Sequence, residues 1–323
     1  MRRACITGGA GFIGSNLADR LLADGSEVVV VDDFRTGRRA FLGDAAEHPH
    51  FRLVEGDVLS PGILEDAFAG CDWVFHLQAN ADVRHGLERP RLDLEQNTIA
   101  TSKVLEAMRQ TGVSNIVFSS TGSVYGEPEL FPTPEDAPFP LQTSLYGASK
   151  LAGEGLIAAY ATGFALTGVI CRFVSILGER YTHGHVIDFY RSLKDDPREI
   201  TVLGDGKQEK SYLYVQDCIE AILTAVARHE GQGGAHVYNL GTDETVIVDE
   251  SLALITGRLG CTPAVRHTGG VRGWTGDSPL IRLDTSKIRS LGWAPKLTIG
   301  LAIEKTVDWL EANEHVWRPQ VQP

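Results

Sequence analysis

The sequence predicts an α/β fold in which a doubly wound parallel sheet is followed by a smaller mixed α/β domain. Apolar, strand-like runs alternate with helix-like segments through the first half of the chain, as in a parallel sheet covered on both faces. A glycine-rich turn, Gly8–Gly14, joins the first run, Arg3–Thr7, to the helix-like segment Ser15–Ala23. Beyond residue 173 this alternation gives way to loops and separate helices.

Composition limits the class of protein. The 323 residues carry a formal net charge of −12, which argues against nucleic acid or an anionic membrane as the main partner. No stretch is long and apolar enough for a membrane span, and Met1 leads into a strand without the pattern of a signal peptide. The scattered cysteines predict reduced thiols in a cytoplasmic protein and no metal site. They are Cys5, Cys71, Cys171, Cys218 and Cys261.

The order strand, glycine turn, helix is the context that a Rossmann-type dinucleotide fingerprint requires. Two frames fit, Gly9-x-Gly11-x-x-Gly14 and Gly8-x-x-Gly11-x-x-Gly14. In either frame the glycines permit a tight turn and let backbone amides approach a pyrophosphate, although a purely structural turn is the alternative. The residues expected at the cofactor phosphates are Gly8, Gly11, Phe12, Ile13 and Gly14.

The second strand favours NAD over NADP. Glu27–Val31 is almost all valine and ends in Asp32 and Asp33. An acid at this point can accept from the adenosine ribose hydroxyls and repel a 2′-phosphate. Arg35 and Arg38 weaken the preference slightly, because an arginine could receive that phosphate.

A third strand, Phe51–Glu55, again ends near an acid. Asp57, followed by Val58, is an expected contact of the adenine amino group. The alternative is that Asp57 caps the helix that begins near Pro61.

The next strand, Cys71–Leu77, brings further residues to the carboxyl end of the sheet, where ligands lie in open α/β folds. We interpret His76 as a buried core histidine, since it lies in an apolar run. An amphipathic helix is predicted over Asp93–Gln110. The cofactor contacts expected here are Leu77, Ala79 and Asn97.

Hydroxyl groups cluster after the strand Ser114–Ser119, in the segment Ser119–Gly126. At a strand end such groups suit the orientation of a substrate hydroxyl, although a serine- and threonine-rich loop is the alternative. A proline-rich loop, Glu127–Pro140, follows.

Tyr146 and Lys150 stand four residues apart in Tyr-Gly-Ala-Ser-Lys. On a helix they project from one face. An ammonium near a phenol favours the phenolate, so Lys150 is expected to lower the pKa of Tyr146 toward that of a general base. The strand Ala165–Phe173 is predicted to follow.

The second half suggests a substrate domain over residues 174–323, beside a cofactor domain over 1–173 with return segments near 211–241. Loops are predicted over Gly178–His185 and Leu203–Lys210, and Lys210 and Arg272 are candidates for binding a nucleotide diphosphate. The other elements predicted here are a helix from Asp217 through Ala227, a strand at Val237–Leu240, and helices near Asp249–Leu259, Thr285–Leu291 and Ile299–Ala312.

Taken in order, these motifs resemble the extended short-chain dehydrogenase/reductase family, and most closely its nucleotide-sugar 4-epimerases of the UDP-glucose/UDP-galactose type. The motifs are Thr-Gly-Gly-Ala-Gly-Phe-Ile-Gly at the start, Val-Tyr-Gly at 124–126, Tyr-Gly-Ala-Ser-Lys at 146–150 and Gly-Asp-Gly-Lys-Gln…Tyr-Leu-Tyr-Val-Gln-Asp at 204–217. The resemblance implies NAD as cofactor and a homodimer built from the helices Asp93–Gln110 and Tyr146–Ala161.

The resemblance also implies roles for single residues. Tyr146 is expected as the catalytic base, Lys150 as its partner at the nicotinamide ribose, and Thr121 as the group that hydrogen-bonds the sugar hydroxyl. Cofactor contacts are expected from Gly8, Gly11, Gly14, Asp32, Asp33, Asp57 and Ser119. Substrate contacts are expected from Thr121, Ser123, Ser175, Lys210, Tyr212 and Arg272.

Departures from the family pattern narrow the reaction. Dehydrating members carry an acidic pair where this chain has Gly122 and Ser123, and decarboxylating members favour a glutamate there. Ser175 replaces an asparagine common in epimerases. Thr182 replaces an arginine of glucuronate-handling members, although Arg180 is close.

The expected function is an NAD-dependent epimerase that inverts C4 of a nucleotide sugar, UDP-glucose or UDP-galactose, through a 4-keto intermediate. Alternatives are a UDP-N-acetylglucosamine or UDP-glucuronate 4-epimerase, a dehydratase, a 4-keto reductase and a non-catalytic NAD-binding regulator.

Overall fold

The computed structural model describes residues 1–80, 85–138, 141–273 and 280–317. Its strands in these ranges are β1 (Arg3–Thr7), β2 (Glu27–Asp32), β3 (Phe51–Glu55), β4 (Trp73–His76), β5 (Asn115–Thr121), β6 (Thr167–Phe173), β7 (Ser175–Leu177), β8 (Glu199–Val202), β9 (Glu209–Lys210), β10 (Tyr212–Tyr214), β11 (Gly234–Leu240), β12 (Val246–Ile247) and β13 (Ala264–His267).

The α-helices are α1 (Phe12–Ala23), α2 (Ile63–Phe68), α3 (His85–Glu88), α4 (Pro90–Asp93), α5 (Ala100–Thr111), α6 (Leu145–Phe164), α7 (His185–Asp195), α8 (Val215–His229), α9 (Val248–Leu259), α10 (Ser286–Arg289), α11 (Ile299–Ala312) and α12 (Glu314–Trp317). A π-helical turn spans Leu94–Ile99, and 3-10 turns span Arg39–Phe41, Gly43–Glu47 and Gly122–Tyr125. Within the described ranges no helix combines the length and apolar character that crossing a membrane requires.

A central parallel sheet confirms the predicted doubly wound α/β fold. Its strand order is β11-β6-β5-β4-β1-β2-β3, and every neighbouring pair is parallel. The chain order reverses between β1 and β4, and a crevice outside the carboxyl ends of the strands at such a point is where ligands bind.

The valines of β2 show why the sheet is covered on both faces. Val28 and Val30 belong to one apolar cluster and Val29 and Val31 to the other, because successive strand side chains point to opposite faces. Helices α1 and α8 pack together on the first face, and α2 and α5 on the second. This core holds the strand ends, and the side chains they carry, in fixed positions.

The predicted helix Asp93–Gln110 is helical throughout but is not a uniform α-helix. The π-helical turn Leu94–Ile99 separates α4 from α5, and Asn97 is buried within it. A π turn inserts one extra residue per turn and is often found at functional sites. Amphipathic periodicity alone does not reveal such a local insertion.

The second half contains elements that the sequence analysis missed. Helix α7 follows directly on the predicted loop Gly178–His185, and its amphipathic face carries buried Val186, Ile187 and Tyr190. Three two-stranded sheets also form, β7 with β10, β8 with β13, and β9 with β12, and α7 packs against β8. Short strands of two to four residues carry too little periodicity to be recognised from sequence.

Candidate active site

The glycine turn is built so tightly that several of its positions exclude a side chain. Gly8 has φ +72°, and a Cβ there would lie 2.8 Å from Gln78 Cα. A Cβ on Gly14 would lie 2.3 Å from the Gly8 carbonyl oxygen, and one on Gly9 would lie 2.6 Å from a methyl of Val30. Helix α1 then begins with Gly11 as N-cap and without a side-chain cap. Both glycine frames therefore matter, and the uncapped first turn, which includes Phe12 and Ile13, suits a pyrophosphate.

Asp32, the last residue of β2, fixes the position of this turn. Its Oδ2 accepts from the Ala10 amide and its Oδ1 from the Phe34 amide, both at 2.9 Å. Burial raises the pKa of Asp32 while the two amides act in the opposite direction. Each carboxylate oxygen has a second lone pair, so the residue can hold the turn and still accept from a ribose hydroxyl.

Asp33 and Asp57 share one cation. Arg35 Nη2 lies 3.0 Å from Asp33 Oδ2 and 3.0 Å from Asp57 Oδ2. Asp57 Oδ1 accepts from the Leu59 amide at 2.8 Å, whereas α2 begins only at Ile63. The alternative that Asp57 caps the following helix is therefore wrong: the carboxylate closes a local turn.

Of the neighbouring residues that the sequence singled out, Arg38 donates to the carbonyl of Val316, and Val58 is buried in the apolar layer beneath β3. With Arg35 held by two carboxylates, both arginines near Asp32 already have partners. Both guanidinium groups are thus engaged within the protein. This does not favour the 2′-phosphate of NADP and is consistent with NAD.

The carboxyl end of β4 holds a buried histidine. His76 Nδ1 lies 2.8 Å from Thr7 Oγ1 and its Nε2 lies 3.1 Å from Thr101 Oγ1. Burial lowers the pKa of His76 to about 3, and the charge of Lys150 acts in the same direction. The interpretation of His76 as a core histidine is confirmed. Leu77 and Ala79, which follow it, are half-buried at the strand end.

Asn97 supports the helix that carries Tyr146. Its Nδ2 donates to Ser149 Oγ at 2.8 Å, and its Oδ1 accepts from the Asn80 amide at 2.9 Å. Ser149 Oγ in turn donates to the Tyr146 carbonyl at 2.8 Å. Both ends of the Asn97 amide are thus used within the protein, and these bonds give no support to the predicted contact with the cofactor.

Tyr146 lies in the first turn of α6, opposite the end of β5. Ser144 caps this helix by accepting from the Gly147 amide at 3.0 Å. Thr121 ends β5, and its hydrogen bond with the Tyr146 hydroxyl lowers the pKa of the phenol. Burial has the larger effect and raises the pKa of Tyr146 to about 12. Ser123 lies beside this pair, since its amide donates to Thr121 Oγ1 at 3.1 Å.

Lys150 lies one turn further along α6 and is 1% exposed. Its Nζ donates to the Ser119 carbonyl at 2.7 Å and lies 4.8 Å from the centre of the Phe118 ring. Burial lowers the pKa of Lys150 to about 7, partly offset by Asp93 and Glu154. Desolvation of the phenol has the largest effect on the pKa of Tyr146 in this structure, and the expected lowering of that pKa by Lys150 stays a prediction.

The predicted substrate residues differ in exposure. Ser175 is exposed at the start of β7, and Lys210 is half-buried on β9. Tyr212 is buried and shares a 2.6 Å hydrogen bond with His185 Nδ1, so its side chain belongs to the core, and the predicted substrate contact finds no support. Arg272 forms a 2.7 Å ion pair with Glu127, which connects the loop after Val-Tyr-Gly to the segment 268–273.

The position where dehydrating relatives carry an acid is closely packed. A Cβ on Gly122 would lie 3.1 Å from Ile281 Cγ2, 3.4 Å from the Phe173 carbonyl oxygen and 3.5 Å from Leu283 Cδ2. A side chain there would require Ile281 to give way by a few tenths of an ångström. The chain thus has no acid at this position, and the packing around Gly122 leaves little room for one.

Arg180, the nearest candidate for a substrate carboxylate, already has a partner. Its Nη2 lies 2.6 Å from Asp19 Oδ2 on α1, and Thr182 bonds with the neighbouring His183. These contacts do not favour a uronic acid substrate.

Sequence analysis missed one buried ion pair at the site. Glu154 Oε2 and Arg172 Nη2 lie 2.7 Å apart, one turn beyond Lys150 along α6. A buried acid four residues after Lys150 could have been noticed on the same helical face.

Comparison with known proteins agrees with this geometry. A model of the NAD dependent epimerase/dehydratase family matches residues 4–241. A UDP-glucose 4-epimerase from Mycolicibacterium smegmatis is 33% identical over 316 residues, which cover 95% of this chain and 98% of that protein. The crystal structure of a UDP-galactose 4-epimerase is 36% identical with a TM-score of 0.86, covering 98% of this chain and 100% of that one. A dTDP-glucose 4,6-dehydratase from Streptomyces venezuelae, solved with NAD, has a TM-score of 0.89 at 28% identity, covering 98% and 99%. Epimerases and dehydratases thus share the fold, and the site has to distinguish them.

Proposed function

The chain belongs to the NAD-dependent epimerase/dehydratase family, and we propose that within it the protein is a nucleotide-sugar 4-epimerase. The proposed reaction inverts C4 of a UDP-hexose, with UDP-glucose and UDP-galactose as the substrate pair, through a transient 4-keto sugar. The observation that carries this choice is the combination of Lys150 bonded to Ser119, on the strand that Thr121 ends, with a glycine at 122 that is packed against Ile281. In this proposal Tyr146 is the base for the proton of a sugar hydroxyl, and position 122 carries no carboxylic acid that could assist the elimination of water.

The residues at the strand ends suit NAD. Gly8, Gly11 and Gly14 would let the backbone approach the pyrophosphate at the uncapped start of α1. Asp32 would accept hydrogen bonds from the adenosine ribose. Lys150 is buried next to Ser119, and from there it would reach the nicotinamide ribose. When bound, NAD supplies the oxidation of the sugar at C4 and the reduction that follows.

The protein's own part is to move and hold a proton. Tyr146 accepts the proton of the sugar 4-hydroxyl and returns it after inversion, while Thr121 aligns the hydroxyl. The phenol needs positive charge nearby to ionise, because burial raises its pKa to about 12. The ammonium of Lys150 and the charge of the oxidised cofactor would provide it.

The substrate contacts are a finer part of the proposal. Ser123 and Ser175 would face the sugar, and Lys210 and Arg272 would bind the diphosphate. Arg272 forms an ion pair with Glu127, and this glutamate would compete with the diphosphate for the guanidinium. The division into a cofactor domain of residues 1–173 and a substrate domain of 174–323, and a cytoplasmic location, stay predictions.

A homodimer is also proposed, built from α5 and α6. These helices pack against each other, and the outer face of α6 exposes the small residues Ala152, Gly155 and Ala159. A stripe of this kind lets two helices from different copies approach closely. Light scattering should give twice the mass of one chain, and Ala159→Glu should give a monomer.

The activity is tested with a panel of nucleotide sugars. The purified protein is incubated without added NAD with UDP-glucose, UDP-galactose, UDP-N-acetylglucosamine and UDP-glucuronate, and the sugars are followed by proton NMR. We expect interconversion of UDP-glucose and UDP-galactose, with no loss of water from the sugar. Formation of a 4-keto-6-deoxy product, or net reduction of cofactor, would instead identify a dehydratase or a dehydrogenase.

A further inference from the structure

Two buried charged residues behind the proposed site have no part in the proton transfer described above. Glu154 on α6 is 5% exposed and Arg172 on β6 is 3% exposed. Arg172 Nη2 lies 2.7 Å from Glu154 Oε2, and its Nε lies 3.0 Å from Oε1. The guanidinium therefore binds the carboxylate through two parallel bonds, a geometry that fixes orientation as well as distance.

Glu154 also reaches the strand that carries Thr121. Ser120 Oγ on β5 donates to Glu154 Oε1. Ser120 stands between Ser119, whose carbonyl accepts from Lys150, and Thr121, whose side chain lowers the pKa of Tyr146 on α6, the helix packed against β5. The Glu154 carboxylate thus holds Ser120, which lies on β5 between the neighbour of Lys150, Ser119, and the neighbour of Tyr146, Thr121.

Arg172 secures the other side of Thr121. Its Nη1 donates to Tyr125 Oη at 2.6 Å and to the Glu135 carbonyl at 2.9 Å. Tyr125 ends the 3-10 turn that follows Thr121, and its hydroxyl donates to Asn239 Oδ1 on β11 at 2.9 Å. Helix α6, strand β5 and the turn after Thr121 are joined through this one ion pair.

We propose that Glu154 and Arg172 are positioning residues, which set the separation between Tyr146 on α6 and Thr121 on β5. A buried ion pair adds little net stability, but it strongly disfavours any packing that leaves one charge unpaired. A shift of α6 along β5 would break the bonds to Ser120 and Arg172 together. The proposal rests on the roles given above to Tyr146 and Thr121.

The first test reads the Tyr146 hydroxyl directly and needs no turnover. The full-length protein is labelled with [13Cζ]-tyrosine, and Tyr146→Phe assigns the resonance of Tyr146. Thr121→Val gives the shift that follows loss of the hydrogen bond. We expect Glu154→Asp, which keeps the charge but shortens the side chain by one methylene, to move the Tyr146 resonance in the same direction. Ser120→Ala, which leaves the ion pair intact, should move it less.

Asp217→Asn is the matched control for a purely structural effect. Asp217 is a buried carboxylate that accepts from the Lys296 and Leu297 amides, outside the site. This variant should lower the melting temperature without moving the Tyr146 resonance. The proposal is overturned if Glu154→Asp and Ser120→Ala leave that resonance unchanged as well. If Glu154→Asp does not fold, the proposal is judged on Ser120→Ala alone, and an unchanged Tyr146 resonance in that variant overturns it.

The second test uses activity. With UDP-galactose as substrate, Glu154→Asp should lower kcat at least tenfold per folded, NAD-loaded molecule while KM changes less than twofold. An unchanged kcat would contradict the proposal. If the wild type epimerises none of the sugars offered, the proposed function has failed, and the NMR comparison still shows whether Glu154 positions Tyr146.

Discussion

The Nζ of Lys150 donates a hydrogen bond to the carbonyl oxygen of Ser119 at 2.7 Å. This bond ties α6 to the carboxyl end of β5 from inside the protein, where the ammonium is 1% exposed. Burial of the charge is unfavourable, and it lowers the pKa of Lys150 from 10.5 to about 7. The protein therefore keeps a destabilising cation next to Tyr146, which is a reason to expect a functional role for it.

Lys150→Met should stabilise the fold while it abolishes activity. The unfolded chain binds a proton at Lys150 up to about pH 10.5, whereas the folded chain releases it above about pH 7. Wild-type stability should therefore rise with pH between these values, relative to the variant. At pH 7 and below we expect the variant to be more stable by about 1–3 kcal/mol, since one pKa unit corresponds to about 1.4 kcal/mol and the Ser119 bond is lost. Urea unfolding at pH 6.5, 8 and 10 measures this; equal stability at every pH would contradict it.

Thr121→Val should impair the general base. The Thr121 side chain is the group that lowers the pKa of Tyr146, so its removal makes the phenolate scarcer. We expect kcat to fall about 10- to 100-fold and the acidic limb of the kcat profile to move to higher pH. Thr121→Ser keeps the hydroxyl and is the matched control, with a profile close to that of the wild type. Equal profiles for the valine and serine variants would remove Thr121 from the mechanism.

Gly14→Ala should damage the cofactor site. The new methyl would lie 2.3 Å from the Gly8 carbonyl oxygen and 2.8 Å from Gly9 Cα, and neither backbone atom can rotate away. We expect a loss of about 1–3 kcal/mol in the free energy of unfolding and less NAD per purified chain. Gly257→Ala, in α9 with no atom within 4 Å of the new Cβ, should be neutral or stabilising. A Gly14→Ala protein that retains full NAD would show that the turn does not bind the pyrophosphate.

Glu127→Gln should tighten substrate binding. Glu127 and Arg272 are 52% and 39% exposed, so their ion pair contributes little to stability. The glutamate nevertheless competes with a substrate diphosphate for Arg272. We expect KM for the nucleotide sugar to fall severalfold with kcat unchanged, and Glu129→Gln, an exposed neighbour, to have no effect. A KM that stays constant or rises would mean that Arg272 does not bind the diphosphate.

Much of the central sheet could be predicted from sequence because its signals are local. The run of valines indicates the buried strand β2, the glycine turn indicates the junction of β1 and α1, and Asp32 indicates the end of β2. Each signal lies within a few residues of the feature that it indicates. The family resemblance, and not a local signal, indicated Thr121 and Tyr146 at one substrate hydroxyl, and the fold packs α6 against β5 and the turn that follows it.

The remaining features depend on tertiary contacts. Tyr212 is buried with its hydroxyl bonded to His185, 27 residues away in sequence. The closed space at Gly122 is created by Ile281 and Leu283 from the far end of the chain. The high pKa of Tyr146 reflects desolvation, which neither motif nor spacing reports.

The central claim is that hydrogen leaves C4 of the sugar and returns to the same carbon within one site. Incubation of the protein, without added NAD, with UDP-glucose deuterated at C4 tests this directly by NMR. The account predicts UDP-galactose that retains the deuterium at C4, in ordinary water, and loss of the conversion in Tyr146→Phe. Product in which C4 carries hydrogen from the solvent, or a conversion that Tyr146→Phe performs at the wild-type rate, would contradict it.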